Sequence, residues 1–593
     1  MKISNIKYLA VAATFGLSLA SCSDFLDKPV VDSYNTDNYY KDDAQCLAGV
    51  NYLYNSPWYD FQRGFIKVGE VLSGNYYWGS SPYLTFTVNG TDQDLINMSY
   101  SLWAVIGHAN TVYDNIKGGG ASEVVKAQCL GECLTWKAMA YFYLVRSFGD
   151  VPIIHSTADE LAGGSYNKAQ KVKKAYVYDY IVLVLKEAIK NLKYAEKDNN
   201  YTPAAGRITL NSAKGLLAKV YLTKAGVKGS LNQADLDEAY KYAEEVYDEQ
   251  EKGIKLLDEY NDVFKLENNT SVESLIAWRW TVGAQWTCQN TLQSDLATEG
   301  MDENGDCWGG WAGCSVDLQE AFGIKLLECG SMSALKVPDK RRTATMMMAG
   351  DIVPHLWRDK GGLDYLKFIY DADYNESATG QAQSPTGANV VKHLYGNNAD
   401  HVAGCGTAAG RMANALATHL LRLSDVYLVM AEASLGASRN IAPGKESKQL
   451  KAYNQVLNRA GLPSVNTFTW EDVWKQRRLE LAMEGDRWYD YVRVSYYDPE
   501  FCINELTNQK RNSFWGIDAL YKAAYEGSWS IDPAKQGYDG NTAAPNVASM
   551  MKTDPDTNKK YFFLPFPTED VLFNPNLASD INGIEVDLKK YKF

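Results

Sequence analysis

Apolar residues recur at helical spacing in two blocks of the chain, separated by a long stretch where the periodicity is lost. In the first block, repeats at i, i+3 and i+4 predict helices near 41–55, 99–116, 122–148, 174–195, 209–225 and 233–249. From about 254 to 410 the character changes: Gly, Trp, Asn and Asp cluster and the pattern breaks. Within it, Ile276–Trp280 alternates and predicts a strand that buries at least one of Trp278 and Trp280. Helical spacing returns at 413–436, 446–460 and 470–493, and 494–593 is again irregular, rich in Tyr, Pro and Asn. Ala213–Leu222 and Ala413–Ala433 interleave small residues with Leu, Val and Tyr. Small residues let neighbouring helices approach while the larger ones fill the groove, as in tetratricopeptide-like stacks. No fixed period of about 34 residues is visible. The pattern alone predicts helix pairs packed in a solenoid, interrupted by a large insertion.

The N-terminus carries export chemistry. Lys2 and Lys7 precede an apolar, small-residue run from Tyr8 to Ala20. That run is shorter than the roughly 20 residues a membrane span needs and reads as the core of a signal peptide. Leu19-Ala20-Ser21-Cys22 matches the bacterial lipobox, in which small residues admit a peptidase and the thiol takes the diacylglyceryl group. The expectation is a signal peptide over 1–21, lipidation at Cys22 and an acidic tether over 22–32. The alternative is an ordinary secretory signal with an accidental cysteine.

Charge narrows the partners. There are 72 Asp+Glu against 59 Lys+Arg, a net of -13, which disfavours a nucleic-acid protein needing a basic face. The 15 Trp and 40 Tyr supply enough flat amphipathic surface for a core and a binding face. Apart from Cys22, nine of the ten cysteines remain, an odd number without a CxxC pair. Cys129 and Cys133, one helical turn apart without a suitably spaced His, read as buried thiols rather than a metal site. Cys307 and Cys314 are close enough in sequence to pair, and the sequence does not decide it. Asp302-Glu303-Asn304-Gly305-Asp306 and Asp554-Pro555-Asp556-Thr557-Asn558 resemble fragments of calcium loops, but neither completes one with a terminal bidentate Glu. Solvated turns are the expectation, with structural Ca²⁺ the alternative and no cofactor otherwise implied.

The segment 470–493 reads as one helix of about six turns, with Trp474, Leu481, Trp488 and Val492 near one stripe. Glu480 and Glu484 lie a turn apart among Arg477, Arg478, Arg487 and Arg493, with Glu484 in reach of Arg487 at i+3. A catalytic pair acting on sugar must flank it across a cleft with one raised pKa. These two carboxylates are therefore expected to be neutralised and structural. Without GxSxG and triad partners, HExxH or a P-loop, no enzyme is expected and no catalytic residue is assigned.

Arg477–Arg493 also resembles the signature helix of the SusD/RagB family, outer-membrane nutrient-binding lipoproteins of Bacteroidetes. Four further segments agree in order: Cys22–Pro29, Gly206–Leu222, Leu421–Ala433, and Tyr561–Glu569 followed by Asn574–Leu577. The family's usual closing tail is not obvious here. The resemblance implies a mainly α, tetratricopeptide-like right-handed superhelix with a large irregular ligand-binding lobe. It divides the chain into an N-terminal helical part (33–253), the Trp/Gly-rich lobe (254–410) and a C-terminal part (411–593). It implies a surface lipoprotein of the outer membrane that binds oligosaccharides, or in some members peptides, and delivers them to a SusC-type TonB-dependent transporter. It implies no enzymatic activity; a lipid-anchored hydrolase is the remaining alternative, which no motif favours.

Sugar capture needs flat aromatic surface ringed by hydrogen-bonding side chains. Tyr77 and Trp78, in Asn75–Gly79, fall where the family often carries a platform aromatic. Trp286, then Trp308 and Trp311 around Gly309-Gly310, form a second cluster, the slim glycines allowing the rings to be presented on an exposed loop. For Trp308 and Trp311 the alternatives are loop packing or transporter contact. Asp60, in Trp58-Tyr59-Asp60-Phe61, and Arg358, beside Trp357, are the expected polar partners.

Overall fold

A computed structural model describes residues 39–540 and 546–593; the predicted signal peptide, Cys22 and the tether lie outside these residues. The longer helices are α1 (Asp43–Asn51), α2 (Gln93–Lys117), α3 (Glu123–Phe148), α4 (Lys174–Glu196), α5 (Leu210–Lys224) and α6 (Gln233–Tyr247). After the irregular lobe come α7 (Leu423–Ser434), α8 (Lys448–Arg459), α9 (Trp470–Leu481), α10 (Arg487–Ser495), α11 (Pro499–Asn508) and α12 (Ile517–Tyr525). Packing follows chain order: α2 on α3, α3 on α4, α4 on α5, α5 on α6, then α6 on α7 and α7 on α8. This is the expected mainly α stack of helix pairs. Among the described residues no helix is long and apolar enough to cross a membrane.

Local chemistry sets the helix ends. Asp92 accepts from Asp94 and Leu95 N–H at the start of α2, and Thr209 with Ser212 closes a capping box on α5. The middle of the stack is α3, buried nearly all round from Ala127 to Phe148, so its polar side chains must be paired inside the protein. Glu132 accepts from Tyr54 at 2.5 Å and Arg207 at 2.9 Å, and Arg146 reaches Asp486 at 3.2 Å.

Three sequence expectations change. The run 413–436 is not all helix: Thr418–Arg422 is a strand, antiparallel to Ser274–Trp278, and α7 starts only at Leu423. All five strand residues are buried, and a short run covered on both sides has no period that distinguishes strand from helix. The predicted partner strand is present, with Trp278 and Trp280 both buried. Second, 494–593 holds helices, the longer ones being α11 and α12, the first capped by Asp498 with Pro499 at its opening position.

Third, 470–493 is two helices. The chain turns at Ala482–Asp486, with Met483 at φ 65° and Gly485 at φ 71°. The turn is bought by tertiary contacts: Lys392 donates to the Ala482 carbonyl at 2.7 Å, His393 meets the Met483 carbonyl at 2.6 Å, and Glu70 accepts the Gly485 N–H at 2.7 Å. A Cβ on Gly69 would stand 2.3 Å from Gly485 Cα, so two glycines let the backbones touch. Glu484 consequently turns away from Arg487 and pairs with Arg422 at 2.6 Å and Lys392 at 2.8 Å. Glu480 meets Arg459, Arg422 at 3.2 Å and Arg341 at 3.4 Å. Burial pushes both carboxyls up, but the surrounding cations outweigh it and hold each at about 2. The pair is neutralised and structural, as expected, but by cations from other elements. Arg477 and Arg493 serve Asp425, Asp490 and Glu432 instead.

Cys129, Cys133, Cys307 and Cys314 are buried free thiols. Asp306 holds Arg411 at 3.2 Å. Asp554 is not a solvated turn residue: it is buried in an ion pair with Lys174. No His/Cys/Asp/Glu group able to hold a metal is found among the described residues.

A candidate aromatic binding face

The two aromatic clusters that the sequence shows far apart form one surface. Tyr76–Tyr77 pairs antiparallel with Gly313–Cys314, Tyr76 opposite Cys314 and Tyr77 opposite Gly313. Trp78 directly follows this ladder on one side, and Ala312 and Trp311 directly precede it on the other. Trp308 and Trp311 are about half exposed (48% and 58%), while Gly309 and Gly310 between them are buried. Gly309 is required by contact, since a Cβ there would lie 2.2 Å from the Asp295 carbonyl oxygen, and Gly310 leaves room for the Gln383 side chain, whose Oε1 would lie 1.9 Å from a Cβ. The turn is moulded onto 295–298 and lifts both indoles outward.

The floor is a continuous helical segment whose pitch changes twice, over Ser56–Phe61, Gln62–Ile66 and Lys67–Val71. The last part is a π-turn, a local distortion that recurs at functional sites. This segment presents Tyr59, Asp60, Arg63 and Lys67. Lys67 Nζ lies 5.0 Å and Arg63 Cζ 5.7 Å from the Trp78 ring centre. Lys67 is paired with Asp94 at the start of α2, and Arg63 sits 3.5 Å from Asp295 and 3.8 Å from Asp94. Trp308 donates its indole N–H to Asp295 at 3.0 Å. Asp295 thus links the two indoles: it orients Trp308 directly and restrains Trp78 through Arg63. Burial raises the Asp295 pKa, against the opposing pull of Arg63 and the Trp308 hydrogen bond.

Trp286, 48% exposed, stands edge-on to Tyr59 with centroids 6.4 Å apart. Its loop is clamped to the floor: Thr287 donates to Ser56 at 3.1 Å, and Gln62 accepts from Thr291 N–H at 3.0 Å. Asp60, half-buried, has its pKa raised by burial. Tyr77 and Trp78 are also half-buried. Arg358 is placed elsewhere. Its Nε lies 3.3 Å from Asp400 and its guanidinium 3.7 Å from Glu267, and no ring contact, hydrogen bond or ion pair joins it to the aromatic residues above. Trp357, beside it, is buried and donates to the Met301 carbonyl.

Six of the seven expected residues thus lie on this floor or on the loops and strands that flank it, and Arg358 does not. Tyr59, Arg63, Lys67, Asp94 and Asp295 were missed. Asp60, Arg63 and Lys67 follow one another at i, i+3 and i+7, the spacing of one helix face, and that signal was available. A separate cavity of about 900 Å³ lies between the outer face of α2 (Ile96, Tyr100, Trp103) and Phe573 and Leu577. Its walls are mainly apolar, whereas the open aromatic face combines exposed rings with charged and hydrogen-bonding groups.

A helix-pair scaffold carrying an exposed tryptophan face fits a binding protein. Residues 329–582 match the SusD family, and residues 36–222 match a family described as starch-binding associating with outer membrane. A SusD-like protein of Bacteroides ovatus is 30% identical over 97% of this chain and 98% of its own length. The chain belongs to the SusD family. Among solved structures, one determined with a xylogluco-oligosaccharide aligns at TM-score 0.73 and 27% identity, covering 91% of this chain and 99% of that one. A laminarin-binding SusD-like protein shares the fold at TM-score 0.59 and 20% identity, covering 90% of this chain and 98% of that one.

Proposed function

We propose that this protein is a cell-surface glycan-binding lipoprotein that captures oligosaccharides on the Trp78, Trp286, Trp308 and Trp311 face and passes them to a SusC-type TonB-dependent transporter. The observation that carries the reading is that Trp78 and the Trp286–Trp311 cluster, from two distant regions of the chain, lie around one floor with Tyr59, Asp60 and Arg63 among them. Indole faces cover the apolar C–H surface of a sugar ring, and Asp60 and Arg63 supply an acceptor and a donor for hydroxyls. The solved relative with a xylogluco-oligosaccharide supports a carbohydrate ligand. Cys22 would anchor the chain in the outer membrane, facing the exterior. Anchoring beside the transporter raises the effective concentration, so a Kd in the micromolar to millimolar range, about −8 to −4 kcal/mol, suffices.

The test is affinity electrophoresis and calorimetry on a polysaccharide panel, with peptide mixtures as the competing ligand class. Trp78→Ala, Trp286→Ala and Trp308→Ala should each weaken glycan retention at least fivefold without lowering the melting temperature by more than a few degrees. Retention of peptides but no glycan, or glycan retention indifferent to all three substitutions, would sink the reading. Product release on incubation with polysaccharide would revive the hydrolase alternative.

A further inference from the structure

The charges on the aromatic face limit which glycans it can hold. Arg63 and Lys67 are the cations on its floor, and both are already answered: Lys67 by Asp94, Arg63 by Asp295 and Asp94. These four groups sum to zero. Asp60 adds a carboxylate with no ion-pair partner in the structure, and burial alone accounts for its raised pKa. Two other arginines of the lobe are also engaged, Arg358 with Asp400 and Glu267 and Arg411 with Asp306. A uronate or sulfate group laid on this surface would meet the Asp60 carboxylate, while the two cations beside the Trp78 ring, Arg63 and Lys67, already face carboxylates of the protein. Its desolvation would go unrewarded, because a charge taken out of water needs a partner.

We infer that the face selects uncharged glycans and rejects those bearing carboxylate or sulfate groups. The inference rests on the proposed glycan reading and adds its substrate class. Asp60 is the residue that sets the sign. A carboxylate within about 7 Å of a ligand's anionic group, at the effective dielectric of a half-exposed surface, disfavours binding roughly five- to tenfold. Asp60 can accept a hydrogen bond from a neutral sugar hydroxyl, so the same residue that repels an acidic glycan contributes to holding a neutral one.

The experiment compares polymers that differ only in charge. The neutral polysaccharide retained best from a panel is used intact and after oxidation of part of its primary alcohols to carboxylates. Retention by the full chain is measured in low and high salt. Wild type should retain the neutral form and lose at least fivefold on the oxidised form in low salt, with the gap shrinking at high salt as screening takes hold. Asp60→Asn should narrow the low-salt gap. Equal or better retention of the oxidised polymer, or an unmodified acidic polysaccharide as the best ligand of the panel, overturns the selectivity. So does an Asp60→Asn variant whose gap equals that of wild type. If no polysaccharide of either kind is retained, the glycan reading itself fails and the inference with it.

Discussion

Replacing Glu480 with Gln keeps the shape of the side chain and deletes its charge. Glu480 is fully buried and shared by Arg341, Arg422 and Arg459, all themselves buried. Breaking a buried ion pair from one side typically costs about 3–5 kcal/mol. The carboxyl's displacement from 4.5 to about 2 gives an independent figure, roughly 3 kcal/mol. For a chain of this length, at about 2.1 cal/mol/K of unfolding entropy per residue, that lowers the melting temperature by roughly 3 °C. The sign with pH follows. A carboxyl held below its unfolded value contributes fully above about pH 5 and loses that contribution as pH falls through the folded value near 2. The stability difference between wild type and Glu480→Gln should therefore be full at pH 7 and shrink to under half by about pH 3. Calorimetry or urea denaturation at both pH values reads it. Equal stability at pH 7, or a difference that does not shrink in acid, would refute the account of Glu480 as a neutralised structural charge.

Gly309→Ala should destabilise the protein by about 1–3 kcal/mol, because the added Cβ meets the backbone of Asp295 rather than a movable side chain; denaturant midpoints together with glycan affinity check that it also displaces Trp308. Arg358→Ala should leave glycan retention unchanged in affinity electrophoresis and cost at most about 1 kcal/mol, since its ion pairs are partly exposed. Cys22→Ala should move the protein from the membrane pellet to the soluble fraction on centrifugation of cell lysates. Continued sedimentation with membranes would remove the lipid anchor from the proposal.

The scaffold was legible because α2, α4 and α6 bury apolar stripes at helical spacing and α5 carries a local cap at Thr209. The strand Thr418–Arg422 was not, because residues buried on every side leave no alternation to read. Nor was the turn at 482–486: Met483 adopts a left-handed conformation only because Lys392 and His393, about ninety residues earlier, hold the carbonyls the turn releases. The aromatic face was half legible. Exposed Trp in a Gly-rich segment marked Trp308 and Trp311, but the pairing that sets them beside Trp78 joins residues more than two hundred positions apart. Asp295 carried no sequence signal, since its role exists only once Arg63 and Trp308 converge on it.

The ladder joining Tyr76–Tyr77 to Gly313–Cys314 has an evolutionary consequence. Its bonds run through main-chain amides and carbonyls, which any residue except proline supplies. The rings beyond its end can therefore be exchanged for smaller, larger or polar side chains without altering how the two segments are held together. A lineage meeting a new ligand could change this face one ring at a time while inheriting the same frame intact.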